Sequence, residues 1–292
     1  MPEAIRNVIR LKTVRYFFPF MMVAVCFLML YSQVIYKLIL DWSTNDNYSH
    51  GFMIPFISFY LIWQRRKIIL DTCTTPSNWG ISLIVFNLIF FIITYIGAEQ
   101  FTMRLSMILT ILSLSIYLFG WKFTKIYFSP VAYLIFMIPI PAIIWNKIAF
   151  PLKIFATTMA VDAIQFLKIP AYQEGNIIFL ANTTLEVVDA CSGIRSLTSL
   201  LALSAAFALV SSHSRIGKWI LFLSAVPIAI LTNIFRLTST AALARYYGPQ
   251  VAQGFLHDTS GILVFCLAFL LLYGIHWTLD KIGYKTLQAQ AK

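Results

Sequence analysis

The sequence predicts an all-α polytopic membrane protein, with about eight transmembrane helices, an interfacial helix and a small outer hairpin. Two features of the composition carry this prediction: 60% of the 292 residues are hydrophobic and only 11% are charged. A soluble domain has roughly 45–50% apolar and about 25% charged residues, so this chain has too few charges to cover a water-facing surface. The composition also excludes a disordered chain, a collagen, a coiled coil and a secreted disulfide scaffold.

Eight apolar runs approach the roughly 20 residues that a helix needs to cross the bilayer. The second run, Gly51–Gln64, is short, which favours an earlier start and a tilted helix. A further apolar stretch, Ile148–Leu167, carries Lys153, Asp162 and Lys168 and is more typical of an interfacial helix. The eight predicted spans are Phe17–Leu40, Gly51–Gln64, Trp79–Gly97, Phe101–Phe119, Tyr127–Trp145, Ser196–Ser212, Trp219–Phe235 and Gly261–Leu279.

The distribution of basic residues predicts the orientation of the spans. With the N-terminus in the cytoplasm, 14 of the 22 Lys and Arg fall in inner segments, and eight of the 11 Asp and Glu fall in outer segments. Short cytoplasmic loops of membrane proteins carry such an excess of Lys and Arg. We therefore expect both termini in the cytoplasm, and the net charge of +11 needs no nucleic acid to explain it. The inner basic residues are Arg6, Arg10, Lys12, Arg15, Arg65, Arg66, Lys67, Lys122, Lys125, Arg215, Lys218, Lys281, Lys285 and Lys292.

We expect residues 1–292 to form a single integral-membrane domain, because the chain has no internal repeat, low-complexity tract or linker. Its longest outer insertion covers residues 146–195. There Gly175-Asn176 precedes the apolar segment Ile177–Leu180, and Ala181-Asn182-Thr183 separates that segment from Thr184–Val188. This pattern is typical of a small β-hairpin, which in this topology lies on the outer face.

The outer surface of this topology holds one cysteine, Cys191. Cys26 and Cys266 lie inside predicted spans and Cys73 lies in a cytoplasmic loop, so Cys191 has no partner for an outer disulfide. If the sixth span begins just after Cys191, the helix N-terminus and Arg195 bring positive charge to the sulfur and favour a thiolate. The alternative is a buried structural cysteine beside an arginine at the membrane surface.

Two further spans bring polar side chains to the same predicted membrane level. Asn233 and Arg236 stand about one turn apart at the end of the seventh span, and His257 precedes the eighth. Each charged group has an ordinary alternative, with Arg236 as an anchor for lipid phosphate and His257 as a solvated loop residue. Ionisable groups at membrane depth are costly and often functional, so their convergence with Cys191 favours a catalytic site.

A cysteine, an arginine and a histidine are suited to acyl transfer. A thiolate attacks a carbonyl, an imidazole moves the proton, and a guanidinium donates hydrogen bonds to the oxyanion. One outer Cys and one His supply two of the three or four protein ligands that zinc usually takes, so we expect no metal and no cofactor. His50, between the first two spans, is either an alternative base or part of a structural turn.

At these residues, and over most of the chain, the sequence resembles the exosortase and archaeosortase family. The Cys191 and Arg236 segments are similar to that family's catalytic blocks, whereas His257 matches on a single residue. Asn47–Phe52 and Tyr60–Trp63 resemble the family's early block, and Phe136–Pro141 and Glu174–Asn176 resemble its middle block. The segments that carry the resemblance are Asn47–Phe52, Tyr60–Trp63, Phe136–Pro141, Glu174–Asn176, Ala190–Ser196 and Asn233–Arg236.

The resemblance implies a cysteine peptidase or transpeptidase in the bacterial inner membrane that cleaves the C-terminal sorting signal of exported proteins. Cys191 matches the nucleophile that forms an acyl-thioester, Arg236 the catalytic arginine and His257 the third catalytic position. The family assigns the arginine as proton donor, whereas physical chemistry favours Arg236 as oxyanion donor and His257 as proton shuttle, and both assignments stay open. The residues with expected supporting roles are Arg195, Asn233, Asp189 and His50.

The implied clients are membrane-anchored proteins with a short motif, one membrane helix and a basic tail. Such a tail stays in the cytoplasm and leaves the motif at the outer, periplasmic face beside Cys191, where docking of the client helix between spans supplies proximity. We expect these clients and the lipid bilayer as partners, and no nucleic acid. Some relatives carry a second domain after the last span, and none is expected after Lys292.

Two other classes of function remain open. A transporter would account for the many spans and for the break at Pro139 and Pro141, although the middle of each predicted span is nearly free of charge. An integral-membrane acyltransferase would use an outer nucleophile with a lipid as acyl donor. A peptide-linked thioester on Cys191 would separate the peptidase from the acyltransferase, and the acceptor of the acyl group, water or an amine, stays open.

Overall fold

The computed structural model describes the backbone of residues 3–181, 183–187, 194–248 and 255–290, and side chains for residues 18, 20–181, 183–185, 187, 196–248 and 261–282. Helices dominate the described residues, which confirms the predicted all-α polytopic class. Two 3-10 helices, Asp46–Phe52 and Tyr133–Met137, interrupt the α-helices. The α-helices are α1 (Glu3–Thr44), α2 (Met53–Gln64), α3 (Arg66–Asp71), α4 (Trp79–Ile96), α5 (Gln100–Phe119), α6 (Trp121–Ala132), α7 (Ala142–Phe166), α8 (Ile194–Val210), α9 (Arg215–Leu223), α10 (Ala225–Tyr247) and α11 (Phe255–Gln290).

Within the described residues, six helical stretches are long and apolar enough to cross a membrane, rather than the eight predicted. The fifth of these joins α9 and α10. The predicted span Ser196–Ser212 is not among the six, because it corresponds to α8, whose apolar part Ser196–Val210 is a shorter helix. The six stretches are Phe20–Thr44, Trp79–Ile96, Gln100–Phe119, Ala142–Phe166, Arg215–Tyr247 and Gly261–Ile282.

The predicted spans Gly51–Gln64 and Tyr127–Trp145 are wrong as single continuous helices, because backbone breaks interrupt both. The first is divided between a 3-10 helix and α2, whose 12 residues are about 18 Å long, whereas the hydrocarbon core is about 30 Å thick. In the second, α6 passes into the other 3-10 helix, and the chain becomes extended at Ile138. Pro139 and Pro141 follow, and proline has no N–H with which to continue a helix.

Two other predicted boundaries change as well. The predicted interfacial helix Ile148–Leu167 belongs to α7, which begins at Ala142 and is itself one of the six candidate spans. The predicted seventh span does not end at Phe235, because α10 continues through Arg236 for another three turns. Arg236 therefore lies in the middle of a helix and not at its end.

The predicted hairpin is part of a three-stranded antiparallel sheet. The strands are β1 (Ala171–Glu174), β2 (Ile177–Leu180) and β3 (Thr183–Glu186), in the order β1-β2-β3. The β2–β3 pair confirms the prediction, and β1 is an additional strand. Gly175 and Asn176 connect β1 to β2, and the φ of +58° at Gly175 suits a two-residue hairpin loop. The predicted turn residue Asn182 and the last predicted strand residue, Val188, lie outside the described residues.

Apolar packing forms three clusters that α8 and α10 connect. Residues of α8 belong to the first and third clusters, and residues of α10 belong to the second and third. The first joins α1, α2, α4, α5, α6 and both 3-10 helices to α8, the second joins α7 and the sheet to α10, and the third joins α8, α9, α10 and α11. Lipid tails are as apolar as leucine, so close approach of small residues drives helix packing in a bilayer. The buried alanines of α10 meet this requirement: Ala225, Ala229, Ala241 and Ala244.

Polar side chains also join α1 to α5 inside the bundle. The hydroxyl of Tyr31 lies 2.9 Å from Oγ1 of Thr110 and 3.2 Å from Oγ of Ser106. Arg104, whose side chain is 3% exposed, pairs with Asp41 at 2.5 Å. These contacts fix the end of α1 that leads into the first 3-10 helix.

Candidate active site

The structure describes the seven predicted site residues to different extents. Three of the seven side chains, on two separate elements, are described. Side chains are described for His50, Asn233 and Arg236, the backbone alone for Arg195 and His257, and Cys191 and Asp189 lie outside the described residues.

Asn233 and Arg236 form a pair on one face of α10. Nη2 of Arg236 donates a hydrogen bond to Oδ1 of Asn233 at 2.9 Å. Asn233 is 1% exposed, so its carbonyl oxygen is held in position by the surrounding helices. Because the guanidinium is planar and rigid, holding one of its nitrogens sets the direction of the others. The Asn233 Nδ2 is buried, and no acceptor among the described residues meets it.

The turn of α10 that follows Arg236 packs against α7 and the sheet. Leu237 and Ala241 share a buried cluster with Val187, which follows β3 and is 0% exposed. The N–H of Val187 donates to the carbonyl of Asn176 at 2.8 Å. Val187 is the last described residue before the segment that contains Cys191, so that segment begins beside the Arg236 region of α10.

His50 faces α8 from the first 3-10 helix. The side chain of Asn45 begins this helix by accepting from the N–H of Asn47 at 3.0 Å. Nδ1 of His50 lies 3.2 Å from Oγ of Ser199 in α8. Burial lowers the pKa of His50, and a hydrogen bond with the backbone of Phe136 opposes this only in part. The imidazole is therefore neutral at pH 7.

Gly51 allows the His50 helix to approach α1. A Cβ atom at position 51 would lie 2.3 Å from the indole Nε1 of Trp42. That indole is 8% exposed and donates to the carbonyl of Met137 at 2.9 Å. Trp42 thus joins the two 3-10 helices, and only glycine fits where the His50 helix crosses it.

The helix α8 connects the two described parts of the site, because it contacts both the first 3-10 helix and α10. It begins at Ile194, two residues after the helix start favoured by the sequence. Arg195 is in its first turn, and Ser199 is one turn further along. The contact of His50 with Ser199 places the first 3-10 helix beside the start of α8, and α8 also packs against α10.

His257 lies in the first turn of α11, the helix that packs against α10. Ala268 of α11 and Ala229 of α10 belong to the same buried cluster. His257 is 11 residues before Ala268, toward the N-terminal end of α11.

A second polar cluster lies at the other end of α8 and was not predicted from the sequence. His213 follows α8, and its Nε2 lies 2.9 Å from Nδ1 of His276 in α11. Asp280, one turn after His276, lies within 3.5 Å of both imidazoles. The four-residue spacing of His276 and Asp280 is visible in the sequence, but nothing in the sequence connects it to His213, 63 residues earlier.

An apolar cavity of about 420 Å³ lies between α6, α8, α9 and the second 3-10 helix. Lys218 and Ser129 are polar members of its lining. Phe136, whose backbone meets His50, lines the same cavity. The apolar members are aromatic and small side chains that include Phe128, Tyr133, Phe136, Ala205, Leu209 and Phe222.

A family model described as transmembrane exosortase (Exosortase_EpsH) matches residues 42–274. This range begins at Trp42, beside the His50 helix, and includes positions 191, 236 and 257. Searches of curated proteins and of solved structures gave no significant match.

Proposed function

Because the chain belongs to the transmembrane exosortase family, we propose that it is a membrane-embedded cysteine peptidase or transpeptidase that cleaves C-terminal sorting signals. The match over residues 42–274 is the observation that carries this proposal. The clients are exported proteins that end in a short motif, a membrane helix and a basic tail. The site works at the outer face of the bacterial inner membrane, and both termini lie in the cytoplasm.

Cys191 is the proposed nucleophile. Its thiolate sulfur attacks the motif carbonyl, an S–C bond forms, and the C–N bond breaks as the released amine takes up a proton. Four residues of chain span at most about 14 Å, so Cys191 stays within that reach of Val187, which packs beside Leu237 of α10. Water or an amine then resolves the acyl-thioester.

Arg236 is the proposed donor to the oxyanion of the tetrahedral intermediate. Its guanidinium keeps its protons at any physiological pH, so it donates hydrogen bonds more readily than it gives up a proton. The hydrogen bond to Asn233, at 2.9 Å, supports this role because it orients the planar group before the substrate arrives. Asn233 is therefore a positioning residue.

His257 is the proposed proton shuttle, because an imidazole exchanges protons near neutral pH and position 257 matches the third catalytic position that the resemblance implies. The described contact of His50 favours a structural role for that residue instead. Its Nδ1 lies 3.2 Å from Ser199 Oγ, which suits a residue that packs the first 3-10 helix against α8. Arg195 and Asp189 are proposed to favour the thiolate and to position the client motif.

The test is processing of a client in cells. A protein from the same genome that ends in a motif, an apolar helix and a basic cluster is given an N-terminal tag and expressed with the wild-type chain, Cys191→Ala or Cys266→Ala. Cys266 is an exposed cysteine of α11 and serves as the matched control. We expect shortened client with the wild type and Cys266→Ala, and full-length client with Cys191→Ala. Processing by Cys191→Ala would exclude a cysteine peptidase.

A further inference from the structure

The cluster of His213, His276 and Asp280 has the composition of a metal site. Each residue can offer one ligand atom such that the three atoms lie within 4.8 Å of one another. Zinc bonds of about 2.0–2.2 Å in tetrahedral geometry require ligand atoms roughly 3.3 Å apart. The three side chains therefore need only a small contraction to surround one ion.

His213 is held in place by its surroundings. Its side chain is 5% exposed. Ser214, the next residue, caps α9 by accepting from the N–H of Gly217 at 3.2 Å. A Cβ atom at position 217 would lie 3.1 Å from Cβ of His213, so the glycine leaves the room that this side chain occupies.

His276 and Asp280 are presented together by α11. Their spacing of four residues places both on one face of the helix. The ring of Phe207 in α8 stacks on the imidazole of His276, with centroids 5.9 Å apart and planes 22° apart. The helices α8 and α11, which are distant in sequence, thus meet at His276. The helix α11 also contacts α9.

The chemistry of the donor set also suits a metal, because imidazole is the commonest metal ligand among protein side chains. Two imidazoles and a carboxylate are ligands of intermediate hardness, which favours zinc and similar divalent transition metals over calcium or magnesium.

We propose that His213, His276 and Asp280 bind a divalent transition-metal ion, zinc in the first instance, which clamps α11 to the end of α8. This site is separate from the proposed active site. It lies beyond the C-terminal end of α8, at least about 16 Å along the helix axis from Ser199. The proposal does not depend on Cys191, Arg236 or His257.

The experiment measures zinc binding to the full-length chain, purified in detergent with an affinity tag that contains no histidine. We expect roughly one zinc per chain by elemental analysis, and a rise in the unfolding temperature on adding zinc chloride. Asp280→Asn, which keeps the size and most hydrogen bonds of the side chain, should weaken zinc binding by at least about tenfold. Asp162→Asn removes an exposed carboxylate from α7 and should leave zinc binding unchanged.

Cobalt(II) in place of zinc identifies the ligands. Nitrogen and oxygen ligands give cobalt(II) visible bands, and we expect those bands alone. A thiolate ligand adds a near-ultraviolet charge-transfer band. A spectrum with that band would place the ion on a cysteine and overturn the proposal. Zinc content at background level in the wild-type chain, with no thermal shift, would also overturn it. Equal zinc affinity in Asp280→Asn and Asp162→Asn would do the same. His276→Gln provides a second ligand variant, for which we expect loss of the visible cobalt bands.

Discussion

At the scale of single residues, the roles of the two arginines near the proposed nucleophile can be separated. Arg236 lies in the middle of α10, where its Nη2 donates to Asn233 Oδ1 at 2.9 Å. Arg195 lies in the first turn of α8, the helix that follows Cys191. We therefore propose that the first arginine supplies a directed fork of donors, and that the second supplies positive charge near the Cys191 thiolate.

This difference gives a prediction for two matched substitutions. Arg236→Lys should reduce the rate of client processing by at least about 100-fold, the usual cost of losing an oxyanion donor, because an ammonium cannot reproduce the planar fork. Arg195→Lys should keep the rate within about tenfold, because the positive charge beside the thiolate is retained. The measurement is the initial rate of client shortening. Equal tolerance of lysine at both positions would remove Arg236 from the oxyanion role.

His50 gives a prediction about pH. Burial lowers its pKa in the folded chain, so the unfolded chain binds the proton more readily. Stability is therefore retained above the ordinary histidine pKa of about 6.5 and is lost as pH falls below it. Lowering pH from about 7.5 to about 5.5 should lower the unfolding temperature, and His50→Gln should reduce this dependence.

The measurement is thermal unfolding of both proteins in detergent over that pH range. His213, whose pKa is also lowered by burial, contributes in the same direction. His213→Gln in the His50→Gln background should therefore flatten the dependence further. An identical pH dependence in the wild type and His50→Gln would show that His50 is not buried as a neutral imidazole.

At the scale of elements, the early block depends on the contact between Gly51 and Trp42. A Cβ atom at position 51 would lie 2.3 Å from the indole nitrogen, which itself donates to the carbonyl of Met137. Gly274, inside α11, has no atom within 4 Å of its hypothetical Cβ. The two glycines are thus a matched pair with opposite surroundings.

Gly51→Ala should destabilise the chain by about 1–3 kcal/mol, because Trp42 must shift and lose its hydrogen bond. Gly274→Ala should be neutral or stabilising by up to about 1 kcal/mol, because alanine favours a helix over glycine. Differential scanning fluorimetry of the two variants measures both effects. A Gly51→Ala protein that unfolds at the wild-type temperature would contradict the packing of the early block.

The elements that the sequence predicts well are those in which an apolar run is also an unbroken helix, such as α4 and α5. Hydropathy alone does not register a missing N–H, so it predicts a single span over the run that contains Pro139 and Pro141. It also gives too much weight to a charge on one helix face, such as Asp162 in α7. The sequence does not predict that α10 continues through Arg236, because a polar pair such as Asn233 and Arg236 also occurs at helix ends.

In the candidate site, too, the sequence predicts local contacts and not those between distant residues. Asn233 and Arg236 could be predicted because they lie one turn apart in the sequence and contact each other. The contact of His50 with Ser199 joins residues 149 positions apart. The cluster of His213 and His276 joins residues 63 positions apart. Contacts of this kind depend on how the helices pack, which single-sequence patterns do not specify.

At the scale of the whole molecule, the proposed topology predicts the accessibility of two cysteines. Cys73 is exposed in the loop between α3 and α4. The proposed topology keeps the eight predicted crossings, with the interrupted segments around α2 and α6 across the bilayer and α7 at the interface, and it assigns that loop to the cytoplasm, as the distribution of basic residues favours. In a chain that lacks the other two cysteines, a membrane-impermeant maleimide should label Cys191 in intact cells and Cys73 only after the membrane is opened. Labelling of Cys73 alone in intact cells would reverse the orientation and remove the proposed site from the outer face.

The central claim is that Cys191 carries a peptidyl group during the reaction. His257→Ala should preserve a reactive thiol, because Arg195 and the start of α8 still favour the thiolate, while the slower proton transfer hinders product release. Mass spectrometry of Cys191 peptides from cells that express this variant with a client measures the intermediate directly. The account predicts a client fragment joined to Cys191 and released by hydroxylamine, and no adduct in Cys191→Ala. A lipid acyl group on Cys191, or client cleavage by Cys191→Ala, would contradict it.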